Sequence, residues 1–391
     1  RKHLINLVDE RFEKINFDEE CNLVVITTST GFAMRAYEIA DEFRRRGKKV
    51  VLGGYHPTMM PNEAKQHADS VLVGEVELTW PQLLKDFEND CLKPFYKQIE
   101  PIPPEKIPAA RRDIIYKYRR PFARIQATRG CPIGCEFCRV PAFEGRALRK
   151  RPIENVVEEV KSVSQKIIFF IDVSLTLDPE YTKALFRELR GSHKRFLCCG
   201  NTDVLAEDDE LLFLAKKAGV VAWYVGFESL SQKIIDDIGK KTNIVEKYHN
   251  VVKKIHRYKM AVSGSFILGF DNDNLDIIDK TYNALYDLEL DLAEINTLTP
   301  YPGTPLFERL DKSGRIISKN WFHYREGQTG TIPPFQPLDM SAEELQIEIR
   351  RRLFDKWYGS IDQRKLQLIL KGMKFGFYPF FFRIFGSFFQ F

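Results

Sequence analysis

No run of apolar residues in this sequence is long enough to cross a bilayer. The first residues lack the basic, apolar and small-residue order of a secretory signal peptide. Charge of one sign is scarce as well. A net charge of +5 over 391 residues gives only mild attraction to anions and argues against nucleic acid as a partner. Cysteine is sparse and odd in number, seven in all, which makes a poor disulfide framework for so long a chain. A composition 44% apolar and 29% charged is that of an ordinary globular protein, with length enough for two or three domains. A reducing, cytoplasmic setting is expected. The chain opens on Arg1 rather than Met, so a preceding stretch is expected too.

What is present is an alternation of strand-like and helix-like runs. Residues 4–8, 23–27, 50–53 and 71–73 read as strands. Residues 33–46 have helical spacing, with Ala36, Ile39, Ala40 and Phe43 on one face. Such alternation implies a parallel, doubly wound sheet, which binds ligands beyond the carboxyl ends of its strands. Thr28 and Ser29, Gly53-Gly54, and Gly74-Glu75 fall at three of those ends. Residues 93–121 are rich in proline and charge and read as a linker.

A second series then offers strands at 124–127, 167–171, 196–200, 222–226, 263–268 and 292–297, separated by amphipathic helices such as 153–164 and 179–189. The prediction is an α/β chain whose second domain is a partial (β/α)6 TIM-like barrel, with chemistry at the strand carboxyl ends. The expected divisions are a first domain over 1–105, a linker over 106–120, the barrel over 121–320 and a helical, aromatic-rich region over 321–391. In that last region Ser341 and Glu344 make a capping box for a charged helix over 341–358.

Beyond the first barrel strand comes Cys131-Pro132-Ile133-Gly134-Cys135-Glu136-Phe137-Cys138. Thiolates are the usual ligands of iron–sulfur clusters. Three of them hold three irons of a four-iron cluster and leave the fourth open, and an open metal position is a catalytic feature. A structural zinc site needs four ligands, and the next histidine downstream is His193.

This run resembles the signature of the radical S-adenosylmethionine (radical SAM) superfamily. The resemblance implies a 4Fe-4S cluster held by Cys131, Cys135 and Cys138, with S-adenosylmethionine on its open iron and Phe137 near the adenine. It places Asp172 at the end of the second barrel strand, facing the methionine. It assigns Glu228 and Ser229, within Gly226-Phe227-Glu228-Ser229, to the strand-four contact with S-adenosylmethionine. It assigns Gly264 and Gly269 to the strand-five glycine motif near the adenine, with the motif's acid replaced by Asp271 or Asp273. Tyr301-Pro302-Gly303-Thr304-Pro305 resembles the strand-six end.

The segment from Gly53 to Glu77 is similar to the Rossmann-like cobalamin-binding domain that precedes the radical domain in one class of these enzymes. There the resemblance implies cobalamin held near Thr28, Ser29, Gly53, Gly54, Gly74 and Glu75. The Asp-x-His-x-x-Gly loop that supplies cobalt's lower histidine in that class is absent, and its place would be upstream of Arg1. His56 does not match it and is not assigned to cobalt.

From Phe375 to Phe391, nine of seventeen residues are Phe, too broken a run to span a membrane. This tail is expected to pack on the barrel, to line an apolar pocket, or to lie at a membrane surface. The region from Trp321 on is similar to that of radical enzymes modifying hopanoids. The leading expectation is a cobalamin-dependent methyltransferase acting on an unactivated carbon of an apolar or lipid substrate, with a flavodoxin or ferredoxin as electron donor. The alternatives are a radical cyclase or carbon–carbon coupling enzyme, and a non-catalytic cobalamin or cluster sensor. Methylthiolation of transfer RNA ranks last, because Cys21 and Cys91 lack the spacing of an extra cluster.

Overall fold

The computed structural model describes residues 3–114, 118, 121–325 and 332–352. It divides into two compact units, Arg1–Pro121 and Phe122–Phe391.

The first unit is built on a parallel sheet of four strands in chain order: β1 (Leu23–Thr27), β2 (Lys49–Gly53), β3 (Ser70–Val73) and β4 (Phe95–Lys97). Parallel neighbours need a crossover, and helix Ala33–Arg45 makes the first. It buries Ala36, Ile39, Ala40 and Phe43, the face its spacing predicts. Two expectations fail here. Residues 4–8 form no strand: Leu4 and Ile5 are exposed, and the Leu7 carbonyl accepts from the Tyr118 hydroxyl instead of a sheet edge. The proline-rich stretch is not all linker either. Phe95–Lys97 pairs with β3, and Tyr96, Ile102 and Ile107 are buried. Pro94 is tolerated because β4 is an edge strand, and its carbonyl still accepts from Val71 at 3.0 Å.

The second unit carries six parallel strands: β5 (Phe122–Ile125), then, after the short pair β6 (Thr128–Arg129) and β7 (Arg149–Lys150), β8 (Ile167–Phe170), β9 (Arg195–Gly200), β10 (Val220–Glu228), β11 (Ala261–Leu268) and β12 (Leu292–Thr297). They pair in sequence order from β5 to β12, and the two edges do not pair with each other. This is the expected open (β/α)6 barrel. Alternation along each strand sends Ile125, Phe170, Cys198, Trp223, Phe266 and Ile295 outward into one core shared with the helices. The neighbouring residues, Cys199, Tyr224, Ser265 and Glu294 among them, take the other, inner face. The adjacent Cys198 and Cys199 are thus split between faces, Cys198 fully buried and Cys199 half-buried.

Helix Ala342–Arg350 begins with the expected capping box: the Glu344 N–H donates to the Ser341 hydroxyl at 3.0 Å, and the Ser341 N–H to the Glu344 carboxylate at 2.8 Å. The phenylalanine tail lies outside the described residues. Among the described residues no helix is long and apolar enough to cross a membrane.

Candidate active site

Just past the carboxyl end of β5, β6 pairs antiparallel with β7, Thr128 opposite Lys150 and Arg129 opposite Arg149. Residues 130–148 are thereby tied at their root into one excursion. It holds Cys131 and Cys135, both buried, and the half-buried Cys138. Backbone bonds set the wrap: Cys131 N–H to Gly145 O at 3.1 Å, Cys138 N–H to Cys135 O at 3.0 Å, and Glu136 N–H to Ile238 O at 3.0 Å. Gly130 sits at φ +85°, and a Cβ there would stand 2.2 Å from the Ala147 carbonyl, so only glycine fits.

Asp172 follows β8 and is 1% exposed. Its carboxylate accepts from the Ala127 N–H at 3.0 Å, from the Thr128 N–H, and from the Thr128 hydroxyl at 2.7 Å. These bonds turn it into the β5–β6 corner, where it braces the root of the cysteine excursion. Burial pushes its carboxyl up to about 6, against the pull of Thr128 and Ala127.

Glu228 ends β10 at a register shift and has φ +61°, a backbone setting an L side chain rarely adopts. It is buried, and its partner is Lys240, which sequence reasoning missed. The Lys240 ammonium also donates to Gly226 O at 2.9 Å. The buried Asn243 amide donates to Gly226 O and Phe227 O at 2.9 and 3.0 Å. Lys240 and Asn243 therefore hold the bulge that presents Glu228. Burial alone would lower the Lys240 ammonium, but Glu228, with Cys135 and Cys138 nearby, keeps it raised. Ser229, also buried, accepts from the Ser231 N–H at 3.1 Å. No sequence pattern marks Lys240 or Asn243, which stand in a polar turn where such residues are ordinarily solvated.

Burial pushes the Cys135 thiol up to about 12, with Lys240 pulling it down and Cys138, Glu228 and Cys131 adding to the rise. Burial likewise raises Cys138. Thiols so placed give up their protons to a metal. Among the described residues no three His, Cys, Asp or Glu side chains gather tightly enough to share one ion. Thiolates on a zinc ion converge, whereas thiolates on a cluster each take a separate iron and stand further apart. Three such thiols, with no fourth ligand gathered to them among the described residues, fit a cluster better than a zinc ion.

At Gly264 an added Cβ would stand 2.7 Å from Leu290 and 3.1 Å from the Phe227 ring on the outer face, so the core packs closely against it there. Gly269, at φ +110°, lies under Leu345 and Phe335. Asp271 is engaged by Arg309 and Arg315. Asp273 folds back onto the Gly269 and Phe270 N–H groups at 2.8 and 2.9 Å. Phe137 packs on Phe270 with ring centroids 6.1 Å apart. The strand-six end joins the cysteine excursion: the Arg139 guanidinium lies 4.9 Å from the Tyr301 ring, and Leu306 N–H donates to Glu136 O at 3.0 Å.

In the first unit Thr28 and Ser29, Gly53-Gly54, and Gly74-Glu75 stand past the carboxyl ends of β1, β2 and β3. Thr28 N–H donates to Gly53 O at 3.0 Å, and Gly74 N–H to the Thr58 hydroxyl at 3.0 Å. Gly54, at φ +99°, lies so close to β1 that a Cβ would stand 2.7 Å from Thr28 O. Glu75 is buried and accepts from Ile102 N–H at 3.0 Å. His56 is fully buried, its Nε2 3.3 Å from Glu63. Small residues and backbone groups at three adjacent strand ends fit a bulky ligand such as cobalamin.

Residues 125–285 match the radical SAM superfamily. The chain is 30% identical over 363 residues to the bacteriochlorophyllide d C-12(1)-methyltransferase of Chlorobaculum tepidum, covering 88% of this chain and 77% of that protein. It is 31% identical over 347 residues to the bacteriochlorophyllide d C-8(2)-methyltransferase of the same organism, covering 83% and 76%. Its fold is similar to the radical SAM methyltransferase TsrM from Kitasatospora setae, solved with cobalamin and a 4Fe-4S cluster bound. That likeness has a TM-score of 0.65 at 17% identity and covers 86% of this chain and 74% of TsrM. The chain belongs to the radical SAM superfamily. It is a radical SAM enzyme, whose family cofactors are a 4Fe-4S cluster and S-adenosylmethionine, and its relatives at this level of identity are methyltransferases.

Proposed function

We propose that this protein is a cobalamin-dependent radical SAM methyltransferase acting on an unactivated carbon of a large, mostly apolar substrate, with a tetrapyrrole as the leading class. The observation that carries this reading is the three-cysteine excursion set beside the buried Glu228–Lys240 pair. The relatives methylating bacteriochlorophyllide support the substrate class over a lipid.

When bound, the cluster and S-adenosylmethionine supply a 5′-deoxyadenosyl radical that removes a substrate hydrogen, and cobalamin supplies the methyl group. Cys131, Cys135 and Cys138 would hold the cluster. Asp172 fixes the root of their loop, and Phe137 offers an aromatic face beside Phe270. Glu228 and Lys240 present one negative and one positive group, suited to the hydroxyl, ammonium and carboxylate groups of S-adenosylmethionine. Thr28, Ser29, Gly53, Gly54, Gly74 and Glu75 would line the cobalamin site. Ile171 and Val173, 44% and 37% exposed on either side of Asp172, offer apolar surface to the substrate at the barrel mouth. A flavodoxin or ferredoxin would supply the electron, in a reducing compartment.

The test is anaerobic reconstitution of the full chain with cobalamin, S-adenosylmethionine, a reductant and bacteriochlorophyllide d, read by mass spectrometry. 5′-Deoxyadenosine with S-adenosylhomocysteine and a methylated chlorin is the expected result. 5′-Deoxyadenosine without S-adenosylhomocysteine would replace methyl transfer by ring closure or coupling.

A further inference from the structure

The inner face of the six-stranded sheet is not uniform. Toward the amino ends of the strands it is apolar, with Phe122, Ile167 and Leu197 in one cluster and Ala222, Ala261 and Leu292 beside it. One step nearer the carboxyl ends it becomes polar. Tyr224 on β10 is in register with Ser263 on β11, and Ser265 on β11 with Glu294 on β12. Because β11 presents only serines here, the Tyr224 side chain crosses it. The Tyr224 hydroxyl donates to Glu294 Oε2 at 3.0 Å.

A second bond lies beside it: Asn296 Nδ2 donates to Ser265 Oγ at 3.3 Å. Among the described residues no cation pairs with Glu294. Burial raises its carboxyl, and Tyr224 alone opposes the rise. Beside it Ser263, 5% exposed and turned to the inner face, has a hydroxyl with no hydrogen-bond partner among the described residues. A half-buried carboxylate without a cation and a buried hydroxyl without a partner both carry a desolvation cost that a ligand would relieve. Among the described residues the main core cluster lies on the other face of the sheet.

We propose that Glu294, oriented by Tyr224 and flanked by Ser263, anchors a hydroxyl or N–H group of an otherwise apolar substrate lying along the inner face of the barrel. This rests on the radical methyltransferase reading and adds the part of the substrate that is recognised. The anchor sets which carbon of the substrate stands at the strand carboxyl ends, beside Glu228. Specificity of this kind is strong, because an analogue lacking the donor leaves buried polar groups unpaired.

The probe is bacteriochlorophyllide d, a chlorin with a hydroxyl-bearing side chain, together with its dehydrated vinyl counterpart. Binding to the reconstituted full-chain enzyme is read by chlorin absorbance, and KM and kcat by methylated product. The wild type should prefer the hydroxyl compound by roughly tenfold or more. E294L and Y224F, checked as folded by thermal melting, should erase that preference, with the change in KM rather than kcat. A wild type that binds both compounds equally, or neither, overturns the anchor, as does a folded pair of variants that keeps the preference. Methylated product in those same reactions leaves the methyltransferase reading standing. A wild type that makes no S-adenosylhomocysteine overturns that reading instead.

Discussion

At the ends of β1, β2 and β3 the chain presents Thr28, Ser29, Gly54 and Gly74; at the ends of β5, β8 and β10 it presents three cysteines, Asp172 and the Glu228–Lys240 pair. Both sheets are parallel, and both offer ligands the same edge. The first does so by removing side chains, so that backbone and hydroxyl groups face outward. The second does so by burying charge and thiols and bracing them with hydrogen bonds. A ligand of the first kind of edge is met mostly by shape. A ligand of the second kind must pay in chemistry, by taking protons from thiols or by meeting a fixed charge.

The widest separation between the two edges is expected from C135A. It should abolish cluster absorbance and iron content in the second unit while leaving cobalamin retention unchanged; a variant with full cluster absorbance would remove the foundation of the assignment. Next comes K240M, which leaves Glu228 buried without its cation. Losing one member of a buried pair costs about 3–5 kcal/mol, so its melting temperature should fall clearly. The K240M/E228Q double variant should recover most of that loss, and a double variant as unstable as the single would show the pair to be incidental.

G54A probes the opposite edge. Its φ of +99° with ψ of −166° is a glycine setting, and strain of this kind costs about 1–3 kcal/mol. Weaker cobalamin retention with unaltered cluster content is expected; normal retention would break the view of that edge as shape-defined. The smallest effect is a pH dependence at Asp273, whose carboxyl burial pushes up to about 6, against the Gly269 and Phe270 amides. The unfolded chain releases this proton near pH 4, so ionising the folded group costs stability. That contribution is fully favourable below about pH 4 and is lost as pH rises through about 6. D273N, which does not titrate, should therefore gain on the wild type across that interval in parallel thermal melts. A constant gap between the two would contradict the assignment.

Much of this was legible in the sequence. The six barrel strands and helix Ala33–Arg45 are set by local periodicity, and local periodicity is visible in a line of text. The cysteines were legible because their ligand set is contiguous. Lys240 and Asn243 were not, because what gives them meaning is a bulge two elements away, and a lysine in a polar turn looks the same whether solvated or buried. The bulge at Glu228 has no signal in local periodicity, because it is a shift of register against the next strand. The strand at Phe95–Lys97 was hidden by the preceding Pro94, which an edge strand accepts and a central one would not.

In both sheets the order of strands in space is their order in the chain. Each strand as it leaves the ribosome can dock on the one made just before it, with only a local loop to close, and contacts of short sequence separation form fastest. The cysteine excursion hangs from the first barrel strand, whereas Glu228 and Lys240 arrive about a hundred residues later, at 228 and 240. The nascent chain therefore exposes its three thiols before the charges that will neighbour them exist. Safe metal loading is a matter of timing during synthesis as much as of affinity afterwards.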